Sequence, residues 1–384
     1  MDLRWRIYAG IQRLPSLRSY RVTRGRKQLC YLCSTELSAW SIWFHGWPNF
    51  YVNHGGGTAN LGFYDQRFAL DWVQNNIHLF GGDRKRVTVM GESAGGASVL
   101  HQITAFGGRS GNAPFSQAII QSPGWLPVLG HKEKEDLYTA FLSLLSCSTL
   151  ECARAKNSSE VMKANTELVN SSKEGSFGPF VDGIFVPETT ANLLLSGEYS
   201  REVNLMLGST ANEGFLIVMG GIAGLRNTTD FRSAIALLFP LSTSSVRSYI
   251  SDTLYPASSF TSDSERINLL VTEALFTCNN VDISTATNGE AYFYRFSVPP
   301  SLHGQDLAYT FFNGPTPAVT NITVANLIQA YIVNFLRSGD PNGEGTILFP
   351  KFGKGTVLDL GNNAGAIEDP TKGRCAWWQK TLYI

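Results

Sequence analysis

Ser93 lies between two glycines in the segment VTVMGESAGGASVL, residues 87–100. The β-branched run before it predicts a strand, and the small residues after it predict the start of a helix. Gly91 and Gly95 complete the pattern Gly-x-Ser-x-Gly, and their lack of a Cβ atom permits the sharp strand-to-helix turn of a nucleophile elbow. In such an elbow the serine attacks a carbonyl group that faces the N–H groups of the helix start. The alternative is a glycine-rich turn in which Ser93 only caps a helix.

A serine hydroxyl near neutral pH needs a base to accept its proton, and histidine is the usual base. The chain has six histidines, and folds with this elbow place the nucleophile, the acid and the histidine in that order. Three histidines precede the serine and are excluded by that order: His45, His54 and His78. His101 is excluded because it lies about two turns along the helix that starts at the elbow and points away from the serine hydroxyl. His131 is excluded because it leaves too little chain for a strand bearing the acid. The predicted base is therefore His303, in PPSLHGQDLAYTF after a predicted strand, with a surface loop histidine as the alternative.

The acid must lie between the serine and the histidine, because it holds the imidazole in the right tautomer and stabilises the imidazolium. Glu213, in GSTANEG, follows the apolar run of residues 205–207 and has the required position. Asp182, in FVDG, is the main rival because it also follows an apolar pair, but Gly183 after it indicates a turn. We expect Glu213 to be the acid.

Ester cleavage passes through a tetrahedral oxyanion that needs N–H donors. Ala94, directly after the nucleophile, supplies one backbone donor, whereas Glu92 precedes the nucleophile in the elbow. The motif HGGG at residues 54–57 suggests a second source of donors. Only one helix fits between that motif and the strand that ends at the serine, whereas the fold needs a helix, a strand and another helix there. We therefore expect no oxyanion role for this motif.

Helices and strands alternate around the elbow, which predicts a parallel sheet with helices on its faces. Residues 65–80 predict a helix whose apolar face packs on the sheet, formed by Phe68, Ala69, Trp72, Val73, Ile77 and Phe80. RVTVM and FSQAIIQ predict strands, and AGGASVLHQITAF predicts the helix between them. A polar, helical stretch at about residues 125–180 indicates an inserted cap. EVNLMLG and AYFYRF predict two further strands, of which the second is the last clear one, and a helix ends at Gly339.

The segment ANLGFYDQRFALDWVQNNIHLFGGDRKRVTVMGESAGGAS resembles the type-B carboxylesterase/lipase family, which includes the cholinesterases, and its details resemble the fungal members. Further matches from about residue 58 to 384 are FGPFVDGIFVPE, LMLGSTANEGF, HGQDLAYTFF, FLRSGDPN and RCAWW. The resemblance implies an α/β-hydrolase fold with a mostly parallel central sheet and an inserted helical cap. It implies a Ser-Glu-His triad at Ser93, Glu213 and His303, which cleaves carboxylic esters through an acyl-enzyme without a metal or organic cofactor.

Residues 1–35 do not resemble the family, so we expect a separate segment there and the family domain at residues 36–384. By resemblance, the oxyanion loop of the family and the first strands of its sheet would fall at or before Met1, and we expect them to be missing. The arginine-rich start has no apolar region of the kind that a secretory signal peptide needs.

Composition narrows the partners of the chain. With 31 basic and 31 acidic residues, the formal net charge is zero, which gives no electrostatic footprint for nucleic acid. No apolar stretch is long enough to predict a transmembrane helix.

Cys147 and Cys152 are close enough in sequence to close a small loop by a disulfide, although two unpaired thiols are the alternative. The resemblance implies a family disulfide at this pair. Four glycosylation sequons, together with this pair, favour an extracellular location: Asn157, Asn170, Asn227 and Asn321.

The sequence thus predicts a serine hydrolase that acts on a small-molecule ester or a lipid. Its activity should fall below about pH 6.5, because the base must be neutral. Two alternatives remain open: a fragment impaired by the missing oxyanion loop, and a noncatalytic cholinesterase-like interaction protein.

Overall fold

The computed structural model describes residues 5–9, 31–35, 57–124, 131–171, 178–221, 225 and 228–383, with only the backbone of the first two stretches. Several sequence predictions therefore lie outside the described residues: those on His45 and His54, on residues 54–56 of HGGG, and on the sequon at Asn227.

The strands of the described residues form one sheet. They are β1 (Trp5–Ala9), β2 (Tyr31–Thr35), β3 (Thr88–Glu92), β4 (Gln117–Gln121), β5 (Asn204–Thr210), β6 (Tyr292–Phe296), β7 (Thr356–Leu360) and β8 (Gly365–Glu368). Their order across the sheet is β2-β1-β3-β4-β5-β6-β7-β8. Strands β3 to β7 run parallel, whereas β1, β2 and β8 pair antiparallel at the two edges. Because parallel strands end at one edge, the residues that follow β3, β4, β5 and β6 come together there.

The helices of the described residues connect these strands. They are α1 (Leu61–Asn76), α2 (Ala94–Ile103), α3 (His131–Leu144), α4 (Leu150–Arg154), α5 (Ser158–Ser171), α6 (Thr190–Ser196), α7 (Gly214–Leu216), α8 (Phe231–Leu238), α9 (Ser244–Tyr249), α10 (Asp263–Thr272), α11 (Cys278–Ala286), α12 (Asp306–Thr310), α13 (Ile322–Ser338) and α14 (Cys375–Trp378). A π-helical turn, Glu273–Thr277, joins α10 to α11.

Helices cover both faces of the sheet. In β6, Phe293 belongs to a core that contains α1, α2, α8, α10 and α11, whereas Tyr294 belongs to a core that contains α13. Successive residues of a strand point to opposite faces, so a strand covered on both sides alternates between two apolar environments. The mostly parallel sheet and its two helical layers confirm the predicted α/β class.

The first and last strands differ from the sequence prediction. Residues 1–35 show no clear period, yet β1 and β2 form there, and β6 is not the last strand because β7 and β8 follow it. Strands β2 and β8 are the edge strands of the sheet, and an edge strand is not buried on both faces, so it lacks the apolar run that predicts a buried strand.

The predicted apolar face of the first helix was right for Val73 and Ile77, which are buried, and wrong for Phe68 and Trp72. Phe68 is 74% exposed and Trp72 is 49% exposed. The buried stripe of α1 instead consists of residues spaced three or four apart: Phe63, Gln66, Leu70 and Val73, continued by Ile77. This spacing places them on one side of a helix, and Phe68 and Trp72 on another.

Helices α3, α4 and α5 lie within the stretch where the sequence predicts a cap. They share a small core of their own, formed by Phe141, Leu142, Leu145, Ala153, Ala164 and Leu168. A disulfide joins Cys147 to Cys152 beside this core, which confirms the predicted pair. A second disulfide, which the sequence analysis did not predict, joins Cys278 in α11 to Cys375 in α14.

Candidate active site

Ser93 occupies a strand-to-helix turn at the carboxyl edge of the sheet. It follows β3 and precedes α2, with a backbone φ of 57° and ψ of −125°, a conformation that side chains rarely adopt. A Cβ atom at Gly91 would lie 2.3 Å from the carbonyl oxygen of Gly95, so the turn closes only because residue 91 is glycine. The Ser93 N–H donates to Gln121 O at 3.0 Å, and the Ser93 carbonyl accepts from Gly124 N at 3.2 Å. The neighbouring strand β4 therefore holds the strained backbone in place.

Three residues that are far apart in sequence meet at this turn. Ser93 Oγ lies 2.8 Å from His303 Nε2, and His303 Nδ1 lies 2.5 Å from Glu213 Oε2. Glu213 follows β5, and His303 lies in the loop after β6. The three side chains thus follow β3, β5 and β6 of the parallel run, with β4 between the first two, and they reach one another at the carboxyl edge of the sheet.

Glu213 is fully buried and has further partners. Its Oε1 accepts hydrogen bonds from Ser122 Oγ at 2.6 Å and from the Thr210 N–H at 2.5 Å. Its other oxygen, Oε2, remains for the imidazole. Sequence reasoning missed Ser122, although its position at the end of β4, between the strands that carry Ser93 and Glu213, was an available signal.

The imidazole of His303 has a raised pKa. Burial alone would lower the pKa, but the hydrogen bond and charge of Glu213, with the charges of Glu92 and Asp306, outweigh that effect. The ring also packs against Phe276, with 4.6 Å between ring centroids. We conclude that His303 is both oriented and made more basic by its surroundings.

Glu92 is a second carboxyl group near the imidazole. Its Oε1 lies 3.4 Å from His303 Nε2 and has no hydrogen-bond partner among the described residues. Burial raises the pKa of Glu92 to about 8, the charges of Asp306 and Glu213 add to this rise, and His303 opposes it. The sequence analysis assigned Glu92 to the elbow only, since nothing in a linear sequence brings it close to residue 303.

Asp306 is a third carboxyl group close to the imidazole and follows His303 by three residues in the sequence. It is fully buried, and its Oδ2 accepts hydrogen bonds from Tyr294 Oη at 2.7 Å and Gln121 Nε2 at 3.0 Å. Burial raises the pKa of Asp306 to about 6. Sequence reasoning missed Asp306, for which the only available signal was its position just after the predicted base.

The helix α2 begins directly after the serine, at Ala94. Among the described residues, the Ala94 N–H has no hydrogen-bond acceptor. A free N–H at a helix start, directly after the nucleophile, is suited to an oxyanion. Of the HGGG motif, only Gly57 lies within the described residues.

The rival residues have other roles. Asp182 Oδ1 accepts from the N–H groups of Ile184 at 2.8 Å and Val186 at 2.9 Å, so Asp182 stabilises a turn, as its sequence context indicates. His101 is buried against the ring of Phe63, with 4.6 Å between centroids, and burial lowers the pKa of His101 to about 3. Within the described part of the chain, neither residue contacts Ser93.

Three further expectations concern metals, membranes and glycans. Over the described ranges, no group of three or more His, Cys, Asp or Glu side chains is arranged to hold a metal ion. No helix there is long and apolar enough to cross a bilayer. The sequon residues Asn157 and Asn170 are exposed, whereas Asn321 is half-buried and caps α13 through its Oδ1.

The chain is similar to proteins of one known family. The model of the carboxylesterase family matches residues 50–378. "Carboxylesterase patB" of Penicillium expansum is 40% identical over 342 residues, which are 85% of this chain and 60% of that protein. "Secreted lipase" of Arthroderma benhamiae is 29% identical over 361 residues, or 88% of this chain and 68% of that protein. The chain therefore spans about 60% of the length of its patB relatives.

Solved structures confirm the predicted α/β-hydrolase fold. Aspergillus niger EstA superposes with a TM-score of 0.76 at 23% identity, covering 88% of this chain and 72% of that one. A PNB esterase superposes with a TM-score of 0.74 at 22% identity, covering 93% and 75%.

Proposed function

The chain belongs to the carboxylesterase family, and we propose that it hydrolyses carboxylic esters through a covalent acyl-enzyme on Ser93. The observation that carries this proposal is the continuous pair of contacts from Ser93 Oγ to His303 Nε2 and from His303 Nδ1 to Glu213 Oε2. A nucleophile within hydrogen-bond reach of a base, itself oriented by a third group, is the arrangement that activates a serine.

In the acylation step, Ser93 Oγ forms a bond to the ester carbonyl carbon while its proton moves to His303 Nε2. The carbonyl oxygen becomes an oxyanion, which accepts a hydrogen bond from the Ala94 N–H. Glu213 stabilises the imidazolium through Nδ1–H. When the oxyanion collapses, the bond to the alcohol oxygen breaks, and His303 gives its proton to that leaving oxygen.

In the deacylation step, water replaces the alcohol. His303 Nε2 takes a proton from the water, whose oxygen attacks the acyl carbon. The second oxyanion collapses with cleavage of the bond to Ser93 Oγ, which recovers its proton from the imidazolium. The products are the carboxylic acid and the free enzyme, and no step uses a metal or organic cofactor.

The substrate that we propose is a small-molecule ester or a lipid ester. The names of the relatives, a carboxylesterase and a secreted lipase, support this class. Hydrolysis of p-nitrophenyl esters with acyl chains of increasing length tests it. We expect turnover by the wild type and loss of about 10⁴-fold or more in Ser93→Ala. Ser98→Ala is the matched control, because Ser98 only donates to Ala94 O within the same helix. A folded wild type without turnover would instead favour a noncatalytic interaction protein or an impaired fragment.

We further propose that the family domain spans residues 36–384, that its cap lies at about 125–180, and that the protein is secreted and glycosylated. The two disulfides favour an oxidising compartment. Exposure of Asn157 and Asn170 makes these two sequons accessible to a glycan. Expression in a secreting host and removal of N-glycans should lower the mass, and an unchanged mass would contradict glycosylation.

A further inference from the structure

A partly open cavity lies apart from the triad, none of whose residues lines it. It has a volume of about 40 Å³. Its walls are the far part of α2, the segment at residues 179–191, helix α11 and the C-terminal segment after α14. One water needs roughly 10–15 Å³ by this measure, so the cavity holds about three waters or one small molecule.

Asp282, on α11, lines this cavity without a charge partner. Its side chain is 6% exposed, and no described residue hydrogen-bonds or ion-pairs with its carboxyl group. Burial alone raises the pKa of Asp282 well above its usual value. The other titratable side chains on the wall are His101 and Tyr383, and no lysine or arginine among the described residues lines it. A buried carboxyl group is costly unless a cation or a donor satisfies it.

Asn279 adds an acceptor to the same wall. Its Nδ2 donates to Pro123 O at 2.7 Å and Leu275 O at 3.0 Å, which fixes the amide and leaves Oδ1 without a donor among the described residues. The rings of Phe180, Trp378 and Tyr383 form the apolar part of the wall. Aromatic faces beside a carboxylate and an amide oxygen favour a cation over an anion or a neutral apolar molecule.

We propose that this cavity binds a small organic cation, a primary ammonium of about three to five non-hydrogen atoms, which pairs with the ionised carboxylate of Asp282 as the carboxyl proton is released to solvent. The ammonium N–H groups donate to Asp282 and Asn279, and its alkyl part contacts the aromatic rings. This site is independent of the proposed ester hydrolysis, because none of the triad residues lines the cavity.

Helix α11 connects this cavity to the elbow. Asn279 holds Pro123 O next to Ser122, and Asn280 Nδ2 donates at 2.7 Å to Gly208 O, which also accepts the Ser122 N–H. Phe276, in the turn before α11, packs on His303. A ligand that ties α11 to the cavity walls should therefore stabilise the folded state, which binds it, relative to the unfolded chain.

The test uses the full chain and ethylammonium chloride as the probe. Titration calorimetry should give one binding site with a Kd in the millimolar range, because a ceiling of about 1.5 kcal/mol per non-hydrogen atom limits three atoms to about 4.5 kcal/mol. The melting temperature should rise in a saturable way with ethylammonium, but not with ethanol or with sodium chloride at equal ionic strength. Asp282→Asn should weaken ethylammonium binding at least tenfold. The matched control is Asp71→Asn, because Asp71 is exposed on α1, and it should bind normally.

Several outcomes would overturn the proposal. One is that ethylammonium does not bind the wild type saturably, which would leave water alone as the occupant of the cavity. The others are that ethanol binds as well as ethylammonium, or that Asp282→Asn binds ethylammonium as tightly as the wild type. If Asp282→Asn does not fold, Ala191→Val offers a second test, since Ala191 lines the cavity and the added carbons occupy it. Ethylammonium binding that survives Ala191→Val would also contradict the site. Ester turnover is not a readout here, so failure of the catalytic proposal leaves the test intact.

Discussion

Ser122 Oγ donates a 2.6 Å hydrogen bond to Glu213 Oε1, the carboxylate oxygen that His303 does not use. The backbone of Ser122 has a φ of 45°, and its N–H donates to Gly208 O on β5. Ser122 therefore fixes the orientation of the carboxylate from the neighbouring strand. We regard it as a positioning residue, since it acts on the imidazole through Glu213.

Ser122→Ala should lower kcat about tenfold with little change in KM. A hydrogen bond to a charged group contributes about 1.5–3 kcal/mol, but the Thr210 N–H still holds the same oxygen, so the lower end applies. Ser284→Ala is the matched control, because Ser284 is a fully buried serine whose hydroxyl has no partner among the described residues. Steady-state kinetics with a p-nitrophenyl ester measure both, and an unchanged kcat in Ser122→Ala would contradict the positioning role.

The acid limb of kcat/KM should have a midpoint above pH 6.5, the usual pKa of histidine, which is higher than the sequence alone indicates. His303 must be neutral to accept the serine proton, and its pKa is raised by Glu213 and Asp306 despite burial, whereas Glu92, with a pKa of about 8, still carries its proton in this range. A raised pKa keeps the base protonated up to a higher pH, so activity is lost earlier on acidification. A measured midpoint below 6.5 would mean that burial outweighs Glu213 and Asp306.

The pH–rate profile should show a second inflection near pH 8, because burial raises the pKa of Glu92 to about 8. Above that pH the ionised carboxylate, 3.4 Å from His303 Nε2, stabilises the imidazolium that forms as the serine attacks. The rate should therefore increase through the inflection. Glu92→Gln cannot ionise, so its pH–rate profile should lack this feature, and a profile identical to that of the wild type would refute the assignment.

The two disulfides should differ in their contribution to stability. Replacing Cys278 and Cys375 by alanine opens a link across 97 residues and should lower the free energy of unfolding by about 4–5 kcal/mol. Replacing Cys147 and Cys152 opens a link across 5 residues and should cost about 2 kcal/mol. Chemical denaturation of both double variants measures the difference. Equal losses would show that the entropy of loop closure does not govern these bonds.

The site residues that could be predicted from sequence either belong to a local motif or follow from the order of catalytic groups along the chain. Gly91 and Ser93 are recognisable because the elbow needs particular residue types at fixed spacing. His303 follows largely from the order of groups along the chain, since three other histidines precede the serine, His101 lies on the helix that starts at the elbow, and His131 leaves no room for an acid. Helix α13 was predicted well, because its apolar residues recur at helical spacing and Gly339 ends it in a left-handed conformation.

The parts that were not predicted depend on neighbours in space. Ser122 and Asp306 become important only when β4, β5 and β6 lie side by side. Cys278 and Cys375 are too far apart in sequence to suggest a bond. The exposed face of α1 shows a different limit, because Phe68 is apolar by type and yet lies outside the buried stripe. Burial is decided by what packs against a helix, and composition alone does not contain that information.

Covalent labelling of the folded wild-type protein with a fluorophosphonate tests the central claim most directly. The reagent phosphonylates only a serine whose hydroxyl is activated by a base. We expect one label per chain, mapped by peptide mass spectrometry to Ser93, with no label on Ser93→Ala and much slower labelling of His303→Ala. A folded wild-type protein that takes up no label, or one labelled at a different serine, would contradict the proposed mechanism.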